Sequence, residues 1–208
     1  MTAEAASSPP SLRERRQFRT RQELVDAVLV VIAEGGVDAA TIDRVSAQSG
    51  ISRGTVYAHF PGGRDELLRA AYARLGVQLV ERTRAAVSAA EGWRARLAAH
   101  AREMFDLAAD ARIGHFFNVS GPTLIVDGEA RGIGSGASAV MLQENLAHAQ
   151  SLGEVSADID AEVTAILLVG ALREAAIRVA AGSESAERAY AAFVRLAAGL
   201  AASAEQPR

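Results

Sequence analysis

The 208-residue chain contains no cysteine, which excludes disulfides and thiolate metal sites and is compatible with a reducing cytoplasm. Lysine is absent too. All 22 basic residues are arginine, a usage that reads as the codon bias of a GC-rich genome. Aromatics make up only 5% of a chain that is 50% hydrophobic and rich in alanine, a balance that favours closely packed helices over sheets. An all-α fold is expected. Apolar runs such as residues 165–172 fall far short of the roughly 20 residues of a membrane span, and residues 1–10 lack the apolar centre of a signal peptide. The chain therefore reads as soluble and cytoplasmic, with no membrane partner. Nor is there a basic surplus: the net charge is -3, so any nucleic-acid partner has to be met by cations placed locally.

Enzymatic signatures are missing as well. His59, His100, His115 and His148 form no HExxH pattern, and Ser120-Gly121 belongs to no GxSxG elbow. The run Gly132-Ile133-Gly134-Ser135-Gly136 is neither GxGxxG nor a Walker motif, and reads as a flexible connection. No catalytic residue, metal ligand or cofactor is assigned.

What is present is concentrated in residues 41–60, TIDRVSAQSGISRGTVYAHF. Ile42 and Val45 lie on one side of a first short helix, Ser49-Gly50 stops it, and Ile51, Val56 and Phe60 give the buried side of a second. This pattern is a helix-turn-helix. Ser52 is the expected N-cap, accepting from the amide of Gly54 or Thr55. Arg53 is then the first helical residue, a cation facing the positive end of the helix dipole, disfavoured by roughly 0.3–1 kcal/mol unless an anion meets it. DNA offers two such targets, phosphate oxygens and the O6/N7 edge of guanine. Arg53, Thr55, Tyr57 and His59 alternate with the buried positions and each can donate to DNA.

Residues 20–68 resemble the DNA-binding domain of the TetR family of transcriptional regulators: a first helix ending in Glu-Gly-Gly, a threonine opening the second, Gly-Ile-Ser-Arg-Gly-Thr-Val-Tyr across the turn, and His-Phe closing the third. The resemblance covers about the first third of the chain. Two departures stand out. The segment after Phe60 reads Pro-Gly-Gly-Arg-Asp, one residue longer than the common form, and Arg64 occupies a position where lysine is usual. The resemblance implies that Thr41, Tyr57, His59 and Arg64 hold phosphates of double-stranded DNA, helped by amides at helix starts such as those of Ser52 and Gly54. It implies also that Arg53 and Thr55 read bases, with Arg44 flanking the reading face.

Around this segment, residues 1–17 are expected to be a disordered arm, 18–66 the helix-turn-helix domain and 67–208 a ligand-binding and dimerisation domain. The cluster Arg13, Arg15, Arg16, Arg19 and Arg21 has two readings, a solvated arm or one that adds phosphate or minor-groove contacts. Thr20 and Glu23 have the spacing of a capping box that starts the first helix, and Gly35-Gly36 ends it. A long helix is expected over about 65–90, another from Trp93, loops with a short helix over 113–136, a helix over about 137–152, an apolar helix over 159–181 capped by Asp158, and a last one over about 185–202.

The last two helices are apolar enough to need external cover, which a two-fold homodimer supplies, and the resemblance implies a four-helix interface there. Ala165, Leu168, Gly170, Leu172, Ala176 and Val179 are the expected contacts. Such a dimer binds an inverted-repeat operator, with half-sites one or more helical turns apart. Trp93, Phe105, Phe116, Phe117, Met141 and Leu168 either line a small-molecule pocket or simply fill the core. In the first case His115, Asn118, Asn145 and His148 supply its polar groups. The resemblance then implies a repressor released from DNA by an unidentified effector. Two other readings stay open: a helical binding protein with a degenerate DNA-binding head, and an enzyme acting through the second domain.

Overall fold

The computed structural model describes residues 11–124 and 128–202. The protein is all-α; among the described residues the extended backbone amounts to one isolated bridge between Val155 and Ala201. The chain divides between Ala71 and Tyr72 into two compact units.

The first unit opens with α1 (Leu12–Ala39), which starts earlier than the Thr20-Glu23 pattern predicts. The same Ser-x-x-Glu spacing occurs at Ser11 and Glu14, and there both reciprocal bonds form: the Glu14 amide donates to Ser11 Oγ at 3.2 Å and the Ser11 amide to Glu14 Oε2 at 2.7 Å. Residues 12–17, expected to be part of a disordered arm, are therefore helical; residues 1–10 lie outside the described residues. Among the described residues nothing before Leu24 is buried, so Arg13, Arg15, Arg16 and Arg19 stand on exposed helix. Gly36, at φ 75°, breaks the helical path, a conformation glycine adopts without a Cβ penalty. The short α2 (Ile42–Ser49) ends on Gly50 at φ 69°, and α3 (Arg53–His59) follows. Leu24, Val28, Val31, Ile32, Val45, Val56 and Phe60 are at most 2% exposed, and each such side chain removed from water stabilises the unit by about 1.5–3 kcal/mol.

The helix α4 (Gly63–Ala89) begins in the first unit and ends in the second. At its start Gly63 takes φ 62° and its amide donates to the Phe60 carbonyl at 2.8 Å.

The second unit contains α5 (Trp93–Ala109), a π turn (Phe116–Ser120), a 3-10 turn (Gly121–Leu124), α6 (Gly128–Ser151), α7 (Ala161–Ala180) and α8 (Ala186–Ala198). Two sequence expectations are corrected here. The glycine run 132–136 lies inside α6: each glycine weakens a helix by about 1 kcal/mol relative to alanine, a penalty outweighed by the burial of Leu142, Leu146 and Ala149 farther along the same helix. The cap of α7 is Asp160, whose Oδ1 accepts from the Val163 amide at 3.0 Å, and not Asp158, which lies in the preceding turn. Trp93, Leu97, Phe105, Leu142, Leu146, Leu168, Leu172 and Phe193 form one continuous core across α5 to α8.

This packing also corrects the expected dimer contacts. Ala165, Leu168, Leu172, Ala176 and Val179 are buried in the core of the chain itself, and of the six only Gly170 faces outward. Helical periodicity shows that one face of α7 is buried but not by what, and α7 has two apolar faces. The outward one carries Val163, Ile166, Leu167 and Ile177, with Leu196 exposed on α8. Between α7 and α8 lies a groove of about 610 Å³ lined in part by Ala171, Arg178, Arg188, Ala192 and Leu196.

Candidate nucleic-acid interface

The reading face is built from the starts of α2 and α3. Thr41 caps α2, its Oγ1 accepting from the Arg44 amide at 3.2 Å. Ser52 caps α3 in the same way, accepting from the Thr55 amide at 3.2 Å, and its hydroxyl lies 2.9 Å from that of Thr55. The caps satisfy amides that a helix start otherwise leaves free. Arg53 is the first residue of α3 and is solvent-exposed, as are Gly54 and Tyr57. A Cβ added at Gly54 meets only Ser52 Oγ, at 4.0 Å, so this glycine leaves bare backbone for a close partner. Val56 and Phe60 point the other way and are fully buried.

Three cations expected at the reading face have partners within the protein. Arg53 is not alone at the positive end of the α3 dipole: packing of α2 on α3 brings Asp43 Oδ1 to 2.9 Å from its Nη1. Arg64 is held by backbone carbonyls of its own unit. Its Nε donates to the Ala40 carbonyl at 2.9 Å and its Nη2 to the Val37 carbonyl at 2.7 Å, so it locks the corner between α1 and α2, where the Val37 carbonyl also accepts from the Ala40 amide at 3.1 Å. Arg44 leans back over Gly35 toward Glu34, with its Nη2 4.0 Å from that carboxylate.

Arg21 is the residue sequence reasoning missed, having grouped it with the N-terminal arginines. Its guanidinium lies 4.0 Å from the centre of the Phe60 ring, donates through Nη1 to the carbonyl of His59, and pairs through Nη2 with Glu66 Oε1 at 3.3 Å. Glu66 in turn accepts from the Gly62 amide at 2.9 Å. One side chain thus ties α1 to the end of α3 and the start of α4. The only local signal was an arginine spaced one turn before buried Leu24 and Val25; its partners are distant in sequence.

In the second unit the aromatic and polar candidates separate. Trp93, Phe105, Phe116 and Leu168 are buried, while Met141 is half-buried. Phe117 stacks on Tyr72 with ring centres 5.1 Å apart. Of the polar group, His115 and His148 are exposed, because their helical positions face solvent; His115 Nδ1 lies 3.2 Å from Ser120 Oγ. Asn118 donates to the Gly114 carbonyl at 3.0 Å. Asn145 is buried and donates from Nδ2 to the Trp93 carbonyl at 2.9 Å. His100, set aside in the sequence, is buried too, with Nε2 3.1 Å from Ser138 Oγ. These contacts pair α5 with α6 in antiparallel register. Along that seam Trp93 Nε1, His100 Nδ1 and Asn145 Oδ1 are buried without a hydrogen-bond partner among the described residues.

Burial pushes the His100 imidazole down to about 4, because desolvation disfavours the charged ring. The unfolded chain then binds more protons than the native one between that value and the ordinary 6.5. Stability from this group is complete above pH 6.5 and is lost as pH falls toward 4, a change of about 3 kcal/mol. Urea titrations across this range are expected to show that slope in the wild type and not in His100→Gln. Parallel pH profiles would refute the assignment.

The fold and site define an all-helical protein with a helix-turn-helix head and a separate helical second unit. Residues 24–71 match the family model described as bacterial regulatory proteins, tetR family, so the head of the chain belongs with the DNA-binding domains of that family. The HTH-type transcriptional regulator SrpR of Pseudomonas putida is 44% identical over 54 residues, 26% of this chain and 25% of that protein; the match thus spans about a quarter of this relative. A TetR-family transcriptional regulator from Pectobacterium atrosepticum aligns with 93% of this chain and 98% of its own, at 24% identity and a TM-score of 0.75. FadR of Bacillus subtilis, solved with stearoyl-CoA, aligns with 84% of this chain and 96% of its own, at 19% identity and a TM-score of 0.66. At these identities the two structures establish the shared fold. Among the described residues no helix is long and apolar enough to cross a membrane.

Proposed function

We propose that this protein is a dimeric transcriptional repressor that binds an inverted-repeat operator through the α2–α3 heads and leaves it when a small-molecule effector occupies the second unit. The observation that carries this reading is the start of α3, where exposed Arg53, bare Gly54 and capped Thr55 stand on a helix whose opposite side, Val56, is fully buried. That geometry presents side chains and amides together, the arrangement by which a recognition helix meets base edges. Tyr57 and the amides at the starts of α2 and α3 hold phosphates, which set register without reading sequence.

The outward apolar face of α7 and α8 supports the dimer. Gly170 sits within it, and a Cβ there meets nothing within 4 Å, so a second copy approaches closely along α7. The α5–α6 seam supports the effector site, with His100 and Asn145 replacing His115 and His148 as the polar groups. The FadR complex with stearoyl-CoA supports a ligand in a unit of this fold, not that ligand here. An effector releases DNA only by binding the non-operator state better than the operator-bound one; equal affinity shifts nothing.

Fluorescence anisotropy with random duplex and with the flanking intergenic region, over a salt series, tests the reading. Sequence preference with a steep salt slope is expected. Arg53→Ala is expected to reduce the ratio of operator to random binding by about tenfold or more, since a bidentate arginine–guanine pair discriminates by about 1–3 kcal/mol. Tyr57→Phe should weaken both alike. Unchanged operator preference in Arg53→Ala would remove the assignment of that residue.

A further inference from the structure

We propose that Asp43 is a positioning residue for sequence reading, which makes Arg53 select a neutral base edge over a phosphate; the proposal rests on the DNA-binding reading above. The ion pair joins two exposed side chains, Asp43 in the first turn of α2 and Arg53 at the first position of α3, with Nη1 2.9 Å from Oδ1. Each end has a reason to stay. Asp43 lies near the positive end of the α2 dipole, which favours its charge, while Arg53 faces the positive end of α3, which disfavours an unpaired cation.

As a stability element such an exposed pair contributes little. Its consequence lies at the DNA surface. A free arginine is drawn to any phosphate, and every sequence offers phosphates. Paired with Asp43, the guanidinium forms a locally neutral unit, and a phosphate that approaches it also meets the carboxylate. The O6/N7 edge of guanine carries no net charge and meets no such repulsion. With Nη1 held by Asp43, the Nε/Nη2 edge remains for a bidentate contact. The pair also restricts the rotamers of a long side chain before DNA arrives, lowering the entropy lost on binding. Asp43 thus suppresses non-specific attraction and leaves the guanine contact intact, a repulsive element serving discrimination.

The test is the full-length protein carrying Asp43→Asn, titrated against operator and random duplexes over a salt series. Random-sequence affinity is expected to rise, the ratio of operator to random binding to fall about tenfold, and the log–log salt slope on random DNA to steepen by about 0.9 per subunit as Arg53 gains a phosphate. In an Arg53→Gln background the same substitution is expected to change neither the ratio nor the slope. Asp43→Glu, which keeps a carboxylate in the first turn of α2, should retain the wild-type slope. An unchanged ratio in Asp43→Asn overturns the proposal, and so does an equal drop with Arg53 already replaced, since Asp43 would then act without it. Wild-type protein with no sequence preference at all would remove the DNA-binding reading itself, a separate outcome visible before any variant is made.

Discussion

Phe60→Ala is expected to destabilise the first unit by about 3–5 kcal/mol, the range for emptying a fully buried aromatic site. Phe60 is 0% exposed and occupies the C-cap of α3, where its amide donates to the Val56 carbonyl at 2.8 Å. Its ring is also the surface on which the Arg21 guanidinium rests. Truncation removes both the core contact and a cation–π contact of about 0.5–1 kcal/mol, and leaves Arg21 holding the His59 carbonyl without support. A small unit has little reserve, since whole domains are stable by only about 5–15 kcal/mol. The head should therefore be largely unfolded or fluctuating in a variant whose second unit persists. The single tryptophan, Trp93, belongs to the core of the second unit and separates the two. Denaturation followed by its fluorescence should keep its midpoint, while helical circular dichroism gains an early phase and amides of α2 and α3 lose protection from hydrogen exchange. Coincident, unshifted transitions by both probes would show that Phe60 does not hold the head together.

Leu167→Glu carries the second large expectation. Leu167 is 68% exposed on the outward face of α7, so in an isolated subunit the change falls among surface substitutions, usually within about 0.5 kcal/mol. At the proposed two-fold interface it buries two unpaired carboxylates at symmetric positions, with a desolvation cost of several kcal/mol per ion. The variant is expected to sediment as a folded monomer with wild-type helicity. Operator affinity should fall by about 10²–10⁴, the gain that linking two binding heads supplies. Random DNA, met by each head alone, should lose less. A variant that remains dimeric at low micromolar concentration would move the interface off this face.

These two residues show where sequence was informative and where it was not. The helix-turn-helix was legible because its signals are local: a cap must precede its helix by a fixed spacing, a glycine with positive φ ends one, and Val56 and Phe60 recur at helical intervals. Thr41, Ser52 and Gly50 accordingly stand where the pattern of residues 41–60 put them. The same local rules misplaced the start of α1 because two capping boxes compete, at Ser11-Glu14 and Thr20-Glu23, and periodicity alone does not choose between them. For α7, hydrophobicity on both faces concealed which half meets the core of the chain itself.

The all-helical fold and the helix-turn-helix were decided by the sequence by itself, since backbone hydrogen bonding, capping and apolar period act over a few residues. The partners of three arginines of the head were decided by the tertiary structure alone. Arg21 reaches Glu66, Arg64 reaches Val37 and Arg53 reaches Asp43, contacts that no spacing rule encodes, because a guanidinium on a flexible stem takes whichever carbonyl or carboxylate the packed helices bring within its reach.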